Sequence, residues 1–303
     1  MRRAARFIRK IMKNIKEILA KNGFSFKKQL GQNFITDETL LGEIVAAAGI
    51  EKEDTVLEIG CGAGTLTRAL AAKAKRVVGF EIDKNLAPVL EETVGGCGNV
   101  SVRFADIMRA DLAALERELG AYKVAANLPY YITTPVIMRF IEGAKGVKTL
   151  AVMVQEEVAK RLCAAAGTAD YGAITAAVDF AGSARIAMRV GKERFFPVPK
   201  VDSAVVRIDI DREKSAGCDA KAYRAVVRAA FSSRRKTLCN NLMQAFSLKR
   251  EEAEKLLSFC GIGALARGET LDCAQFKKLA VAYGEKVWQN DCSSPLRTAA
   301  RRR

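Results

Sequence analysis

Histidine is absent from the 303 residues. The chain therefore has no imidazole for acid/base or nucleophilic work, and zinc sites that mix cysteine with histidine are excluded too. Eight cysteines are scattered between Cys61 and Cys292 without one C-x-x-C pair. That spacing predicts no metal, and the thiols read as reduced, small hydrophobes of a cytosolic protein. No stretch of about 18 apolar residues occurs, which argues against a membrane span.

What is present is a basic chain with ample material for a core. Half of the residues are hydrophobic, and 50 Lys and Arg against 34 Asp and Glu give a formal charge of +16. Such a balance favours a polyanionic partner, nucleic acid before an anionic membrane surface. Residues 1–28 hold ten Lys or Arg and a single acid, Glu17, with apolar residues from Ile8 to Leu19 at helical spacing. A transit-type presequence, a membrane-surface helix and an RNA-touching arm all fit this extension. So does an origin of the chain at Met12.

From residue 37 onward, amphipathic helical patterns alternate with short apolar runs. The expected strands are "TVLEIG" (55–60), "RVVGFEID" (76–83), "VSVRFAD" (100–106), "YKVAANL" (122–128) and "TLAVMVQ" (149–155), with helices between them, including one over "PVIMRFIEGA". The pattern predicts an α/β fold: a mostly parallel, doubly wound, Rossmann-like sheet covered on both faces. Two further runs, 184–190 and 204–210, are joined by a proline-rich loop instead of a helix, which predicts an antiparallel edge. A polar, glycine-containing stretch over 211–220 then leads into a purely helical pattern. The expected organisation is a basic extension over 1–28, a catalytic domain over 29–212, a small helical domain over 213–288 and a basic tail over 289–303.

"LEIGCGAG" places Gly60, Gly62 and Gly64 between the first long strand and the next helix, where backbone must approach a ligand closely. The G-x-G-x-G spacing is shorter than the pyrophosphate-seating G-x-G-x-x-G, so it favours a nucleoside without a diphosphate, such as S-adenosylmethionine, over NAD. Glu81, 17 residues past Gly64, ends the next strand and can accept from both ribose hydroxyls. Asp83 competes for that role, but reads as a helix cap or a solvated acid. Asp106, at the third strand end, can accept from an exocyclic amine.

The fourth strand ends in "ANLPYY". The Asn127 carboxamide oxygen and the Leu128 carbonyl can accept from the amino group of an adenine, Pro129 fixes the turn, and Tyr130 offers a face on which the base stacks. Methyl transfer to that nitrogen needs aim and tolerance of positive charge rather than a strong base. In "ERFFPVPKVDS" either Phe195 or Phe196 can clamp the base from its other side. Tyr131 is left to packing.

Six blocks in order carry a resemblance: "QLGQNFITD" (29–37), "EIGCGAGTLT" (58–67), "NLPYYITTP" (127–135), "VQEEVAKRL" (154–162), "FFPVPKVDSAVVRI" (195–208) and "FSSRRKTLCNNL" (231–242). From about Asn14 to about residue 285 the chain resembles the ribosomal RNA adenine dimethyltransferase family, in its bacterial small-subunit branch. The resemblance implies an S-adenosylmethionine-dependent enzyme that dimethylates two adjacent adenosines in the 3′-terminal hairpin of 16S rRNA within the immature small subunit. It would be a cytoplasmic monomer with no membrane partner. Carried over by motif, the cofactor would touch Asn33, Ile35, Gly60, Gly62, Glu81, Asp106 and Asn127, while Asn127, Leu128, Pro129, Tyr130 and Phe195 would serve the target base. Ile35 stands where leucine is usual and Cys61 where proline is common, and a thiol there would make the enzyme sensitive to alkylation.

RNA contact is expected at "SSRRK", with Ser232 or Ser233 capping a helix whose first turn carries Arg234, Arg235 and Lys236. Two alternatives stay open: a large-subunit rRNA dimethyltransferase of the antibiotic-resistance type, and a non-catalytic RNA-binding assembly factor.

Overall fold

Runs such as "LAVMV" (150–154) and "VAA" (124–126) are apolar at every position, which a strand tolerates only when both of its faces are covered. The computed structural model describes residues 15–27, 32–35 and 37–290. The leader with Met12, the "QLG" at 29–31 and the tail beyond residue 290 lie outside the described residues.

The first unit comprises the chain to Cys163 together with Ala181–Asp211. Its elements are α1 (Ile15–Lys21), β1 (Phe34–Ile35), α2 (Glu38–Ala47), β2 (Thr55–Ile59), α3 (Thr65–Ala71), β3 (Arg76–Glu81), α4 (Ala87–Val94), β4 (Val100–Phe104), α5 (Leu112–Leu119), β5 (Tyr122–Asn127), α6 (Tyr130–Gly143), β6 (Val147–Gln155) and α7 (Glu156–Leu162). After α8 (Ala173–Ala181) come β7 (Gly182–Val190), β8 (Phe195–Phe196) and β9 (Ser203–Ile210). A seven-stranded sheet runs in the order β4-β3-β2-β5-β6-β9-β7. Its first five strands are parallel, and β9 lies antiparallel between β6 and β7. The doubly wound sheet and its antiparallel edge are thus those that the alternation of patterns predicts.

Strand order reverses between β2 and β5: the chain leaves β2 outward to β3 and β4, then returns to the other side of β2. At such a point the connecting helices diverge and leave a crevice beyond the carboxyl ends of the strands. Val56, Leu57, Val77 and Val78 are fully buried in the middle of the sheet. One apolar layer joins α2 and α3 to the sheet through Leu41, Leu70 and Ala125. Another joins α1 and α4 to Phe34 and Cys61.

Two local departures from expectation matter for the site. The helix expected over "PVIMRFIEGA" begins at Tyr130, five residues before Pro135. A proline in the early turns of a helix costs little when the turn before it is held otherwise, and here the Pro129 carbonyl accepts from both Ile132 N and Thr133 Oγ1 at 3.1 Å. Both tyrosines therefore stand on the first turn of α6. In addition, β1 and β8 form a separate antiparallel ladder of two residues each, pairing Phe34 with Phe196 and Ile35 with Phe195.

The second unit comprises Ala164–Phe180 together with the chain from Arg212 onward. It holds α9 (Arg212–Ser215), α10 (Ala220–Ala230), α11 (Leu238–Phe246), α12 (Arg250–Phe259) and α13 (Cys273–Asn290). The chain passes to this unit at Arg212, beside the expected boundary, and in addition residues 164–180 join the helices that follow. The cause is aromatic packing: Phe180 stacks on Tyr223 at 3.9 Å, and the Tyr223 hydroxyl donates to the Ala176 carbonyl at 2.9 Å. Among the described residues no helix is long and apolar enough to cross a membrane, and the seven described cysteines are free thiols.

Asn241, fully buried on α11, donates through Nδ2 to the Ala230 carbonyl at 2.9 Å and to the Ser233 carbonyl at 3.0 Å. It ties the end of α10 to the turn that follows. Asn241→Ala strands both acceptors and should lower the stability of the helical unit by roughly 2–4 kcal/mol. Chemical denaturation followed by circular dichroism will read this as an earlier unfolding transition, and an unmoved midpoint would show that the turn is held by other contacts.

Candidate active site

The crevice is built from four strand ends and two segments brought in from elsewhere in the first unit. Gly60, Gly62 and Gly64 all have positive φ, at +78°, +54° and +81°. At Gly62 the requirement is also steric, since a Cβ there would come within 2.9 Å of the Phe34 ring. The turn is fixed from below by Gly60 N donating to the Phe80 carbonyl at 2.8 Å. The pocket above it is lined by Asn33, Ile35, Gly60, Gly62, Glu81, Asp106, Asn127, Leu128, Pro129, Tyr130 and Phe195, together with residues the sequence did not single out. Every catalytic and cofactor residue expected from the motifs therefore faces one cavity.

Glu81 orders the turn as well as facing the pocket. Its Oε2 accepts from Gly62 N and its Oε1 from Asp83 N, both at 2.8 Å. Burial pushes its carboxyl upward, and these backbone donors oppose the shift. Each carboxylate oxygen can accept more than one hydrogen bond, so lone pairs remain for a ligand. Asp83 is committed elsewhere: Lys27 Nζ lies 2.8 Å and Gln32 Nε2 3.1 Å from its carboxylate, which also caps the turn at Lys84–Leu86. Asp106 caps its own turn through Met108 N at 2.8 Å, with Arg109 3.6 Å from its other oxygen.

Beneath the turn is a second acid that the motif reading passed over. Glu58 is fully buried, and neither carboxylate oxygen makes a full hydrogen bond among the described residues. Desolvation pushes its carboxyl up to about 8, helped by the nearby charge of Glu81, while the Thr67 hydroxyl and the Cys61 thiol offset part of the cost. Cys61 is also buried, its thiol directed at the Phe80 carbonyl at 3.8 Å and pushed well above its ordinary value, desolvation first and the two acids next. A buried, protonated thiol is inert, so the expected alkylation sensitivity does not follow from this geometry.

At the fourth strand end the Asn127 side chain is oriented by a partner remote in sequence. Its Nδ2 donates to the Asn33 carbonyl at 3.1 Å. That leaves Oδ1, and beside it the Leu128 carbonyl, without a partner among the described residues. Tyr130 is half-buried, its hydroxyl 2.9 Å from Ser203 Oγ on β9. Phe195 is buried in the pocket wall, whereas Phe196 packs against Phe26 at 5.5 Å and lies under the Lys16 ammonium at 4.1 Å. The two phenylalanines thus separate into one that faces the cavity and one that holds the N-terminal segment.

Ile82 and Ile107 also line the cavity, and Ile82 is 57% exposed. A signal was available, since each directly follows an acid assigned to the ligand, and Ile82 is exposed there whereas Ile107 is buried. In the second unit the expected cap is corrected: α11 starts at Leu238 with Thr237 as its N-cap, so the cations of "SSRRK" lie in the preceding turn. Ser232 Oγ donates back to the Ala229 carbonyl at 2.8 Å and is unavailable as a helix cap. Arg234 donates to the carbonyls of Ala169 and Tyr171 at 2.8 and 2.9 Å, and Lys236 to Gln244 at 3.1 Å. Arg235 is exposed and has no partner among the described residues.

Residues 23–281 match the family model described as ribosomal RNA adenine dimethylase. The chain is 45% identical over 275 residues to ribosomal RNA small subunit methyltransferase A of Geobacillus thermodenitrificans, covering 88% of this chain and 94% of that one. It is 40% identical over 268 residues to the protein of the same name from Clostridium acetobutylicum, covering 88% and 97%. Among solved structures it is similar to a dimethyladenosine transferase from Plasmodium falciparum, with a TM-score of 0.72 and 25% identity over 84% of this chain and 98% of that one. It is also similar to the 23S rRNA methyltransferase ErmE, with a TM-score of 0.63 and 27% identity over 82% and 98%.

Glu58 makes stability depend on pH with a defined sign. A carboxyl raised from an ordinary 4.5 to about 8 on folding lends stability that is complete below the lower value and is lost as pH rises through the upper one. The melting temperature of the wild type should fall by several degrees between about pH 5 and about pH 9, and Glu58→Gln, which cannot ionise, should fall less. Parallel melting curves for the two proteins across that range would remove Glu58 as the source.

Proposed function

The chain belongs to the ribosomal RNA adenine dimethylase family, and from that premise we propose that its pocket transfers methyl groups from S-adenosylmethionine to N6 of two adjacent adenosines near the 3′ end of 16S rRNA. The single observation that carries the reading is the pair of unengaged acceptors, Asn127 Oδ1 and the Leu128 carbonyl, at the rim of a cavity that also holds Glu81 and the glycine turn. The residues present fit the cofactor. The turn at Gly62 leaves no room for a side chain, Glu81 keeps lone pairs for ribose hydroxyls, and Asp106 has an oxygen turned away from its own cap. Ile82 and Ile107, which line the cavity, would offer apolar contact to the cofactor's purine.

When bound, the cofactor supplies an electrophilic sulfonium methyl. The chain supplies position. Asn127 Oδ1 and the Leu128 carbonyl accept from the two amino hydrogens and so aim the nitrogen lone pair, while developing positive charge on the nitrogen is met by those same oxygens. Tyr130 stacks on the base, with its ring angle set by Ser203, and Phe195 walls the opposite side. No side chain need take the proton to completion, since the alkylated ammonium loses it readily to water. The base must be unstacked to reach this site, so the substrate segment is single-stranded or flipped.

RNA beyond the target base is held by the basic surface, and Arg235 is the member of its turn with a guanidinium to spare. Arg234 and Lys236 hold the turn that presents it. The natural partner is 16S rRNA in the immature small subunit, engaged by a cytoplasmic monomer.

The reading is tested by incubating immature small subunits and, in parallel, large-subunit rRNA with labelled cofactor and mapping the modified nucleotides. Dimethylation of adjacent 16S adenosines is expected, and modification of a large-subunit adenine instead would overturn it in favour of the resistance-type reaction. Asn127→Ala should cost at least about 100-fold in turnover while RNA binding changes little, since an amide is lost from the reacting centre and none from the phosphate contacts. Retained turnover in that variant would show that the amine is held elsewhere.

A further inference from the structure

Tyr131 is a large side chain at the pocket rim for which neither the fold nor the methyl transfer above has a use. It is 64% exposed, lines the same cavity as Asn127 and Tyr130, and has no hydrogen-bond or ring partner among the described residues. Tyrosine is a mediocre helix former, so the first turn of α6 gains nothing local from it. Consecutive helical residues point about 100° apart, so Tyr130 and Tyr131 leave one turn in different directions, the first half-buried with its hydroxyl on Ser203 and the second exposed at the rim.

Resting on the dimethyltransferase reading, we propose that Tyr131 is a stacking platform for the nucleotide next to the target adenosine. Drawing one base into the pocket strips its neighbour of a stacking partner on that side. An exposed aromatic face at the mouth replaces that lost stack, and it does so for any base, because every base has a π-face. Sequence tolerance is what this enzyme needs: when two adjacent adenosines enter in turn, the base left at the mouth is different each time. A hydrogen-bonding reader of the flanking base would favour one of the two events, whereas a ring accepts both. Tyr131 is thereby a positioning residue, acting on the strand and not on the reacting nitrogen.

The experiment uses small subunits assembled with 16S rRNA that is either intact or carries an abasic nucleotide beside one target adenosine. With intact RNA, Tyr131→Ala should raise KM roughly fivefold to hundredfold, with kcat within about twofold, and Tyr131→Phe should restore the wild-type KM. The abasic nucleotide should raise KM for the wild type and add little for Tyr131→Ala, since ring and base form one interaction. Calorimetry with S-adenosylmethionine should give equal affinities for all three proteins. An unchanged KM in Tyr131→Ala, or an abasic penalty of equal size in wild type and variant, overturns the stacking role. A parallel loss of cofactor affinity would overturn it too, by assigning the ring to the cofactor. If the wild type fails to methylate intact subunits, the parent reading fails, an outcome distinct from an active wild type with an indifferent Tyr131→Ala.

Discussion

A parallel sheet whose strand order reverses cannot cover the carboxyl ends of the two strands at the reversal, because the helices that follow them must depart to opposite faces. In this chain the reversal lies between β2 and β5. Everything at the site is a response to the opening it leaves. The glycine turn follows β2, Glu81 ends β3, Asp106 follows β4 and Asn127 ends β5, so four consecutive parallel strands each deliver a polar group to the same rim. The remaining gap is closed by β1 and β8, whose short ladder sets Ile35 opposite Phe195, with Asn33 lining the cavity just before β1.

Two acids lie together at the glycine turn. Glu81 is held by two backbone amides and Glu58 lies fully buried under the turn. Leaving two carboxylates ionised so near each other in a low dielectric would be costly, and the burial of Glu58 resolves the conflict by keeping it protonated near neutral pH. Glu81 is raised by burial too, with backbone amides opposing the shift, and it faces the cavity. Cys61 follows the same logic, since between two acids and away from water its thiol stays neutral.

The base end contains no charged catalyst. An amide, a main-chain carbonyl, a proline turn and two rings line that end of the cavity. Asn127 is oriented by the Asn33 carbonyl and Tyr130 by Ser203, so each of these side chains is fixed by a partner remote in the chain. This explains how a chain without histidine can serve a reaction whose difficulty is orientation more than proton transfer.

Local pattern was enough to determine the alternation of strands and helices, the glycine turn and the acids at the strand ends, because each depends on the period of its own hydrophobic residues and on residues within a few positions. It also determined that Asn127 through Tyr130 stand at a strand end. The start of α6 at Tyr130 was hidden by Pro135, since a proline usually marks a helix start and here lies inside one. The grouping of residues 164–180 with the C-terminal helices was hidden because it rests on Phe180 meeting Tyr223, more than 40 positions away in the chain. For the same reason only the tertiary structure could turn the Asn127 amide by way of Asn33 and reveal Glu58 as a buried, neutral acid. Side-chain orientation and protonation depend on which groups share a space, and proximity across the fold is not written in the period of any single segment.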